Sequence, residues 1–210
     1  GIAPDDFELV FHSHATSKLK DEELASNSLG MSSLGFRGEA VASISAIAQV
    51  ELVSQTSRAE HAFRYRPDLA APEPCAGNPG TVIDVRNLFY NTPARRKFLR
   101  ADSTELSHCV QQCSRIALSS PGVRFKVTHG QRTVLDLPSV DDFRDRLYQI
   151  VSRKISDELL EVREGDDPEL PSLVGYVGSP RVHRRDTKEQ HFFVNGRWVR
   201  DRTLSHALRS

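Results

Sequence analysis

The stretch HFFVNGRWVRD, residues 191–201, has essentially one way to fold. Phe192, Phe193 and Val194 on one side, and Trp198 and Val199 on the other, suit a pleated strand. Asn195-Gly196 between them suits a tight type I′ turn, because both central positions of that turn take positive φ. Two antiparallel strands are thereby fixed as neighbours. The pattern recurs upstream. Val123, Phe125 and Val127 alternate with Arg124, Lys126 and Thr128, Gly130 sits in a turn, and 134–137 returns. GTVIDVRNLF, 80–89, reads as a strand with Ile83 and Val85 alternating against Asp84 and Arg86. A strand begins at 50–53, and SLVGYVG, 172–178, is another.

Helical patterns lie between these strands. Pro4, Asp5 and Asp6 suit a first helical turn, ahead of an apolar face of Phe7, Val10 and Phe11. Residues 39–48 predict a helix that buries Val41, Ile44, Ile47 and Ala48. Asp102 or Ser103 is placed to cap a helix whose face is Leu106, Cys109, Val110, Cys113 and Ala117, and Pro121-Gly122 stops it. Asp141 and Asp142 open a further helix facing inward with Phe143, Leu147, Ile150 and Val151. Leu204, Ala207 and Leu208 start a last one. Residues 18–33 are polar and weakly patterned. Residues 67–80, rich in proline and glycine, read as an exposed connection. Interleaved strands and helices make this an α+β chain, and there are no internal repeats. A domain boundary is expected near 100–122, where a basic run and a helix hand over to a second α+β unit.

The 210 residues carry 28 Lys and Arg against 28 Asp and Glu, a net charge of zero that argues against a protein coated in nucleic acid. The charge is nevertheless segregated. RRKFLR, 95–100, has four cations and no acid, whereas 157–169 holds seven acids and one arginine. Residues 181–210 carry eight Lys or Arg against three acids. A neutral chain of this kind can still present a basic face. No apolar run reaches the roughly 20 residues of a membrane helix, so no membrane partner is expected. The three cysteines, at 75, 109 and 113, do not make a disulfide framework and fit a reducing, intracellular setting. Core packing is the expected role of Cys109 and Cys113, and no metal site is predicted.

SLGFRGEAVASI, 33–44, sets a bare glycine loop directly against a helix start. A helix N-terminus exposes N–H groups that have no partner within the helix, and its dipole favours an anion. Gly35 and Gly38 would let a phosphate approach the backbone with no Cβ in the way. The spacing is neither a Walker loop nor a dinucleotide fingerprint. Taken alone, two glycines also make an ordinary turn, and Glu39 is also a good first-turn residue. LFYNTPARRKFLR, 88–100, mixes aromatics with arginines, as a nucleic-acid surface does. It reads equally as a charged linker facing water.

Several stretches in order narrow these readings. HATSK (14–18), SLGFRGEAVASI (33–44), GTVIDV (80–85), LFYNTPARRKFL (88–99) and FVNGRWVRDR (193–202) together closely resemble the N-terminal region of the MutL family of DNA mismatch-repair proteins. The resemblance runs along essentially the whole chain, and GFRGEA with NTPARRKFL is highly specific. It implies a GHKL-type ATPase domain, an α/β sandwich present in part over 1–105. A ribosomal-protein-like α+β domain would follow over 106–210.

By resemblance, Gly35, Phe36, Arg37, Gly38 and Glu39 belong to a nucleotide lid, with Thr16, Ser17 and Lys18 at its front edge. Thr81 matches the threonine of the family's last adenine-pocket motif. Gly1 matches the final glycine of its Asp-x-Gly-x-Gly motif. Arg197, Arg200 and Arg202, with Arg184 and Arg185 at the margin, fall where such proteins contact DNA. The implied cofactors are ATP and Mg2+. The implied partners are DNA held through its backbone, a mismatch-recognition protein, a downstream nuclease or helicase, and a second subunit on ATP binding. The implied setting is the cytoplasm or nucleoid of a bacterium, or the nucleus of a eukaryote.

The family's activating glutamate, its magnesium-holding asparagine and its adenine-reading aspartate are expected upstream of Gly1, and a lysine past Ser210. The chain as given is therefore expected not to turn over ATP by itself. Ser13 stands where an arginine usually precedes HATSK. Two other readings stay open at this point. One is a different ATPase of the superfamily, of the gyrase B or heat-shock chaperone kind, and the other a non-catalytic DNA-binding or scaffolding module.

Overall fold

In the computed structural model, Pro4–Asp6 form one 3-10 turn that runs directly into helix α1, Phe7–Phe11. The structure describes residues 1–13, 38–165, 172–182 and 189–208. The chain divides into two units, Gly1–Arg100 and Ala101–Ser210.

The first unit is built on four antiparallel strands: β1, Gln49–Gln55; β2, Ala62–Tyr65; β3, Glu73–Cys75; and β4, Gly80–Arg86. Their order is β3-β2-β1-β4. Successive side chains of a strand point to opposite faces, so alternate residues of β1, namely Val50, Leu52 and Ser54, are the buried ones. Leu52 lies opposite Tyr65 on β2. Helix α1 covers that face, with Phe7 and Leu52 fully buried and Ile2, Val10, Phe11, Phe63 and Leu69 packed round them. The Phe11 ring meets Tyr65 edge-on at 5.6 Å between centroids.

Helix α2, Ala40–Ser45, packs beside α1 and is shorter than the predicted 39–48. The chain must turn between Ala46 and Ala48 to enter β1. Ala48 is buried as expected, but Ile44 stays exposed and Val41 and Ile47 only half-buried. The 67–80 connection is not wholly irregular, because β3 forms within it. Pro74 is tolerated there because β3 is an edge strand, where a missing N–H costs no ladder bond. Strand β4 forms but ends at Arg86, short of the predicted Phe89, and Ile83 and Val85 are not buried. β4 is the opposite edge of the sheet, and neither residue is among those packed round Phe7 and Leu52.

The chain leaves β4 through an unusual corner. Asn87 and Phe89 both take positive φ, 54° and 63°. Such a conformation is rare for a bulky residue and persists only where surrounding contacts impose it. Three hydrogen bonds do so. The Phe89 N–H donates to Ile47 O at 2.7 Å, Asn91 Nδ2 to Ala46 O at 2.9 Å, and Asn87 Nδ2 to Gln49 Oε1 at 2.6 Å. Helix α3, Pro93–Arg96, follows with proline at its start, and the Arg95 guanidinium lies 4.7 Å over the Phe89 ring. The basic run 95–100 is exposed throughout.

The second unit opens with helix α4, Asp102–Leu118. Ala101, not Asp102 or Ser103, is its N-cap: the Thr104 and Glu105 amides bond to the Ala101 carbonyl, and no side chain caps the end. Burial is concentrated at Ala117 and Leu118, and Cys109 is exposed, contrary to its expected place on the apolar face. Strands β5, Phe125–His129, and β6, Arg132–Leu137, form the predicted hairpin around Gly130 at φ 58°. Helix α5, Phe143–Ile150, is capped by Asp142, whose carboxylate accepts the Asp145 N–H at 2.8 Å. Helix α6, Arg153–Ser156, is one turn. Strands β7, Leu159–Glu164, and β8, Leu173–Gly178, pair antiparallel. β7 lies inside the acidic run, where charge conceals the alternation.

The hairpin of β9, Phe192–Val194, and β10, Arg197–Val199, turns at Asn195 and Gly196, both with positive φ, as predicted. Helix α7, Arg202–Ala207, follows. Its expected apolar residues Leu204, Ala207 and Leu208 are exposed. Among the described residues, no helix is long and apolar enough to cross a membrane.

Candidate nucleotide-binding site

Ser54 is the polar exception on the core face of β1, 2% exposed and in line with Val50 and Leu52. A buried hydroxyl must find partners, and this one has three. The Ile2 N–H donates to Ser54 Oγ at 2.7 Å. Ser54 Oγ donates to the Gly80 carbonyl at 2.9 Å. It also lies 2.8 Å from Thr81 Oγ1. Ser54 and Thr81 stand directly opposite each other in the β1–β4 ladder, so both side chains share one face.

Gly1 lies against the end of the same strand. A Cβ built on it would sit 2.0 Å from the Gln55 carbonyl oxygen and 2.8 Å from the Thr56 nitrogen. Only a residue without a side chain fits there, so the glycine is required by close approach. Gly1 and Thr81 were matched to different motifs, and the fold brings their segments together through Ser54. Beyond Thr81, Ile83 and Val85 continue the same face of β4 as a half-open apolar floor. A hydroxyl beside an uncovered apolar surface is a chemistry that suits a flat heterocycle: apolar contact for the ring face, one hydrogen-bonding group for an edge.

Of the lid residues, Gly38 and Glu39 are described. Gly38 takes φ 59°, a value glycine adopts without strain, and Glu39 is the N-cap of α2 without a side-chain cap bond. Thr16, Ser17, Lys18, Gly35, Phe36 and Arg37 lie outside the described residues, as does the polar stretch 18–33. Among the described residues no group of three or more His, Cys, Asp or Glu could hold a metal ion.

The second unit holds the arginines read as a DNA surface. Arg197 is half-buried on β10, while Arg200 and Arg202 are exposed; Arg184 and Arg185 lie outside the described residues. Asp201 caps α7 by accepting the Leu204 N–H at 2.8 Å. The hairpin is braced by α4, whose Arg115 guanidinium lies 4.2 Å over the Trp198 ring. Next to it, burial and then the Arg115 charge push His191 below the usual imidazole range, with Glu189 opposing. The imidazole is thereby kept neutral near pH 7.

Comparison with known proteins settles the kinship. A family model for the C-terminal domain of DNA mismatch repair protein matches residues 147–210. The DNA mismatch repair protein MutL of Herminiimonas arsenicoxydans is 40% identical over 215 aligned positions, which take in 100% of this chain and 34% of that protein. MutL of Christiangramia forsetii is 37% identical over 99% of this chain and 33% of its own length. The chain belongs to the MutL family. It spans about a third of the length of the MutL proteins it matches.

Its fold is that of MutL ATPase domains. The crystal structure of the N-terminal domain of a DNA repair protein superposes with a TM-score of 0.74 at 23% identity, over 97% of this chain and 64% of that one. The Aquifex aeolicus MutL ATPase domain complexed with ADP gives 0.63 at 21% identity, over 91% of this chain and 70% of that one. The GHKL-type α/β layer followed by a ribosomal-protein-like α+β domain is therefore the fold that the MutL motifs imply.

Sequence reasoning missed Ser54. The signal was present: a serine continuing the inward series of Val50 and Leu52 is a hydroxyl placed where a strand ordinarily buries an apolar residue. Cross-strand register, which pairs it with Thr81, is not written in either segment alone.

Proposed function

We propose that this chain supplies part of the ATP-binding and ATP-hydrolysing unit of a DNA mismatch-repair matchmaker, which couples recognition of a mismatch to the downstream repair steps. The observation that carries this reading is the junction at Ser54, which ties Ile2, next to the close-packed Gly1, to Thr81. Two segments matched to different motifs, that of Thr81 to an adenine pocket, meet at this one buried hydroxyl, which supports a base pocket there. The Aquifex aeolicus MutL ATPase domain, similar in fold, has been solved complexed with ADP.

ATP fits the residues present on one count that the sequence motifs do not depend on: an exposed Thr81 hydroxyl at the edge of an uncovered apolar strand. The triphosphate would be enclosed by residues 16–18 and 35–39. Mg2+ is proposed only as the companion of those phosphates, with no ligand assigned to it. When bound, the nucleotide would supply a phosphoryl bond to be cleaved. The chain's own residues hold and orient its base.

The second unit is proposed to hold DNA by its phosphates through Arg200 and Arg202, with Arg197, Arg184 and Arg185 around them. One local feature favours this. Arg202 opens α7, where the helix dipole disfavours a cation. A residue that breaks a local rule on the surface points to a partner. A mismatch-recognition protein, a nuclease or helicase, and a second subunit joined on ATP binding complete the proposed partners.

The test is hydrogen exchange on the full-length protein with and without a nonhydrolysable ATP analogue. Slowed exchange across 16–18 and 35–39 is expected. Equal rates in both states, with nucleotide bound, would remove the lid from this account.

A further inference from the structure

We infer that Ser54 is a positioning residue that fixes the direction of the Thr81 hydroxyl and so makes the site prefer a 6-amino purine over a 6-oxo purine. The inference rests on the nucleotide-binding reading above, and it adds a residue and a cause of base selectivity.

The argument is a count of protons and lone pairs. A serine hydroxyl has one hydrogen to give and two lone pairs to fill. The Gly80 carbonyl, 2.9 Å away, can only accept, so the Ser54 proton goes there. The Ile2 amide, 2.7 Å away, can only donate, so it fills one lone pair. Thr81 Oγ1, at 2.8 Å, fills the other, and with the serine proton already committed Thr81 must be the donor. This assignment leaves none of the four groups unsatisfied. The alternative, in which Ser54 donates to Thr81, gives up the 2.9 Å bond to the Gly80 carbonyl.

The consequence falls on the open side of Thr81. Its single proton points inward to Ser54, so the hydroxyl can only accept from solvent or ligand. An acceptor at the end of the apolar floor of Ile83 and Val85 matches a ring bearing an N–H2 group and opposes one bearing a carbonyl oxygen. Adenine and hypoxanthine differ in this way at C6, the edge the hydroxyl is inferred to face, while N1 changes in the opposite sense, from a lone pair to N–H. Ser54 touches no ligand in this scheme; it acts through Thr81.

ATP and inosine triphosphate binding to the full-length protein is the test, read by equilibrium titration as the ratio of the two affinities. Thr81→Val keeps the shape at an exposed position while deleting the acceptor, and it should bring the ratio down about three- to tenfold, the range of one hydrogen bond. Ser54→Ala frees the Thr81 proton to turn outward and should lower the ratio in the same direction. In the double variant the Ser54 change should add nothing to the ratio, because its effect passes through the threonine.

A general loss of packing would weaken both nucleotides alike and leave the ratio unmoved. An unchanged ratio in Thr81→Val overturns the proposal even if Ser54→Ala fails to fold. Ser54→Ala shifting the ratio equally with valine at position 81 overturns it too. Failure of the unaltered protein to bind either nucleotide would instead bring down the nucleotide-binding reading itself.

Discussion

Gly1 and Arg146 show how single residues decide local geometry in this chain. Gly1 is held so close to the end of β1 that a methyl group would overlap the Gln55 carbonyl. Backbone atoms there are tied into the sheet and cannot yield as a flexible side chain would. Gly1→Ala in the full-length protein should therefore cost about 1–3 kcal/mol of stability, the range of an overpacked site. It should also weaken nucleotide binding, and calorimetric unfolding with and without ATP measures both effects. Arg146 is fully buried with no ion-paired carboxylate among the described residues. Its guanidinium instead donates to the Pro121 and Val123 carbonyls and to Gln149 Oε1, and so fixes the turn after α4 to α5. Arg146→Ala should destabilise the protein by about 2–4 kcal/mol, seen as a lower urea midpoint, since it leaves a cavity and carbonyls without their charged donor. Gly1 was singled out through its motif, but the close approach to Gln55 that demands a glycine there was not legible. Arg146 was not, because nothing in a helical pattern marks an arginine as the residue turned inward.

Hairpins were the legible elements; burial on helices was not. The β9–β10 turn at Asn195-Gly196 follows from two residues alone. The end of α2 and the exposed face of α7 depend on what each helix meets, which local spacing does not encode. β3 escaped notice because proline usually argues against a strand, and only its edge position admits Pro74. The hairpin also carries a pH dependence. His191 has its affinity for protons lowered in the fold by burial and by Arg115, with Glu189 the counteracting group. The unfolded chain therefore takes up the proton first as pH falls below about 6.5, the ordinary imidazole value. The contribution of neutral His191 is fully present above that pH and is lost progressively as pH drops toward the folded value. Trp198, the chain's one tryptophan, lies under Arg115 and reports this directly. Its fluorescence should show the unfolding midpoint in urea shifting down between pH 7 and 5.5, and His191→Gln should flatten that shift.

At the scale of the whole molecule, the net charge is zero and the proposal divides the labour: base reading in the first unit, phosphate contact in the second. The two are separable by experiment. Arg202→Glu should weaken DNA binding about uniformly across sequences and flatten the salt slope by about one unit, because a phosphate contact carries no sequence information. ATP affinity should remain as before. A titration against labelled DNA at several salt concentrations checks this, and an unchanged slope would move attention to the exposed run 95–100.

The central claim is that the first unit reads a nucleotide base around Ser54, and residue-resolved hydrogen exchange tests it most directly. The full-length protein would be compared with and without a nonhydrolysable ATP analogue at saturating concentration. The account predicts slowed exchange at Ile2, whose amide bonds to Ser54, and along 80–83, together with 16–18 and 35–39, while 192–199 is unaffected. Saturating nucleotide that leaves Ile2 and 80–83 at their unliganded rates would contradict it.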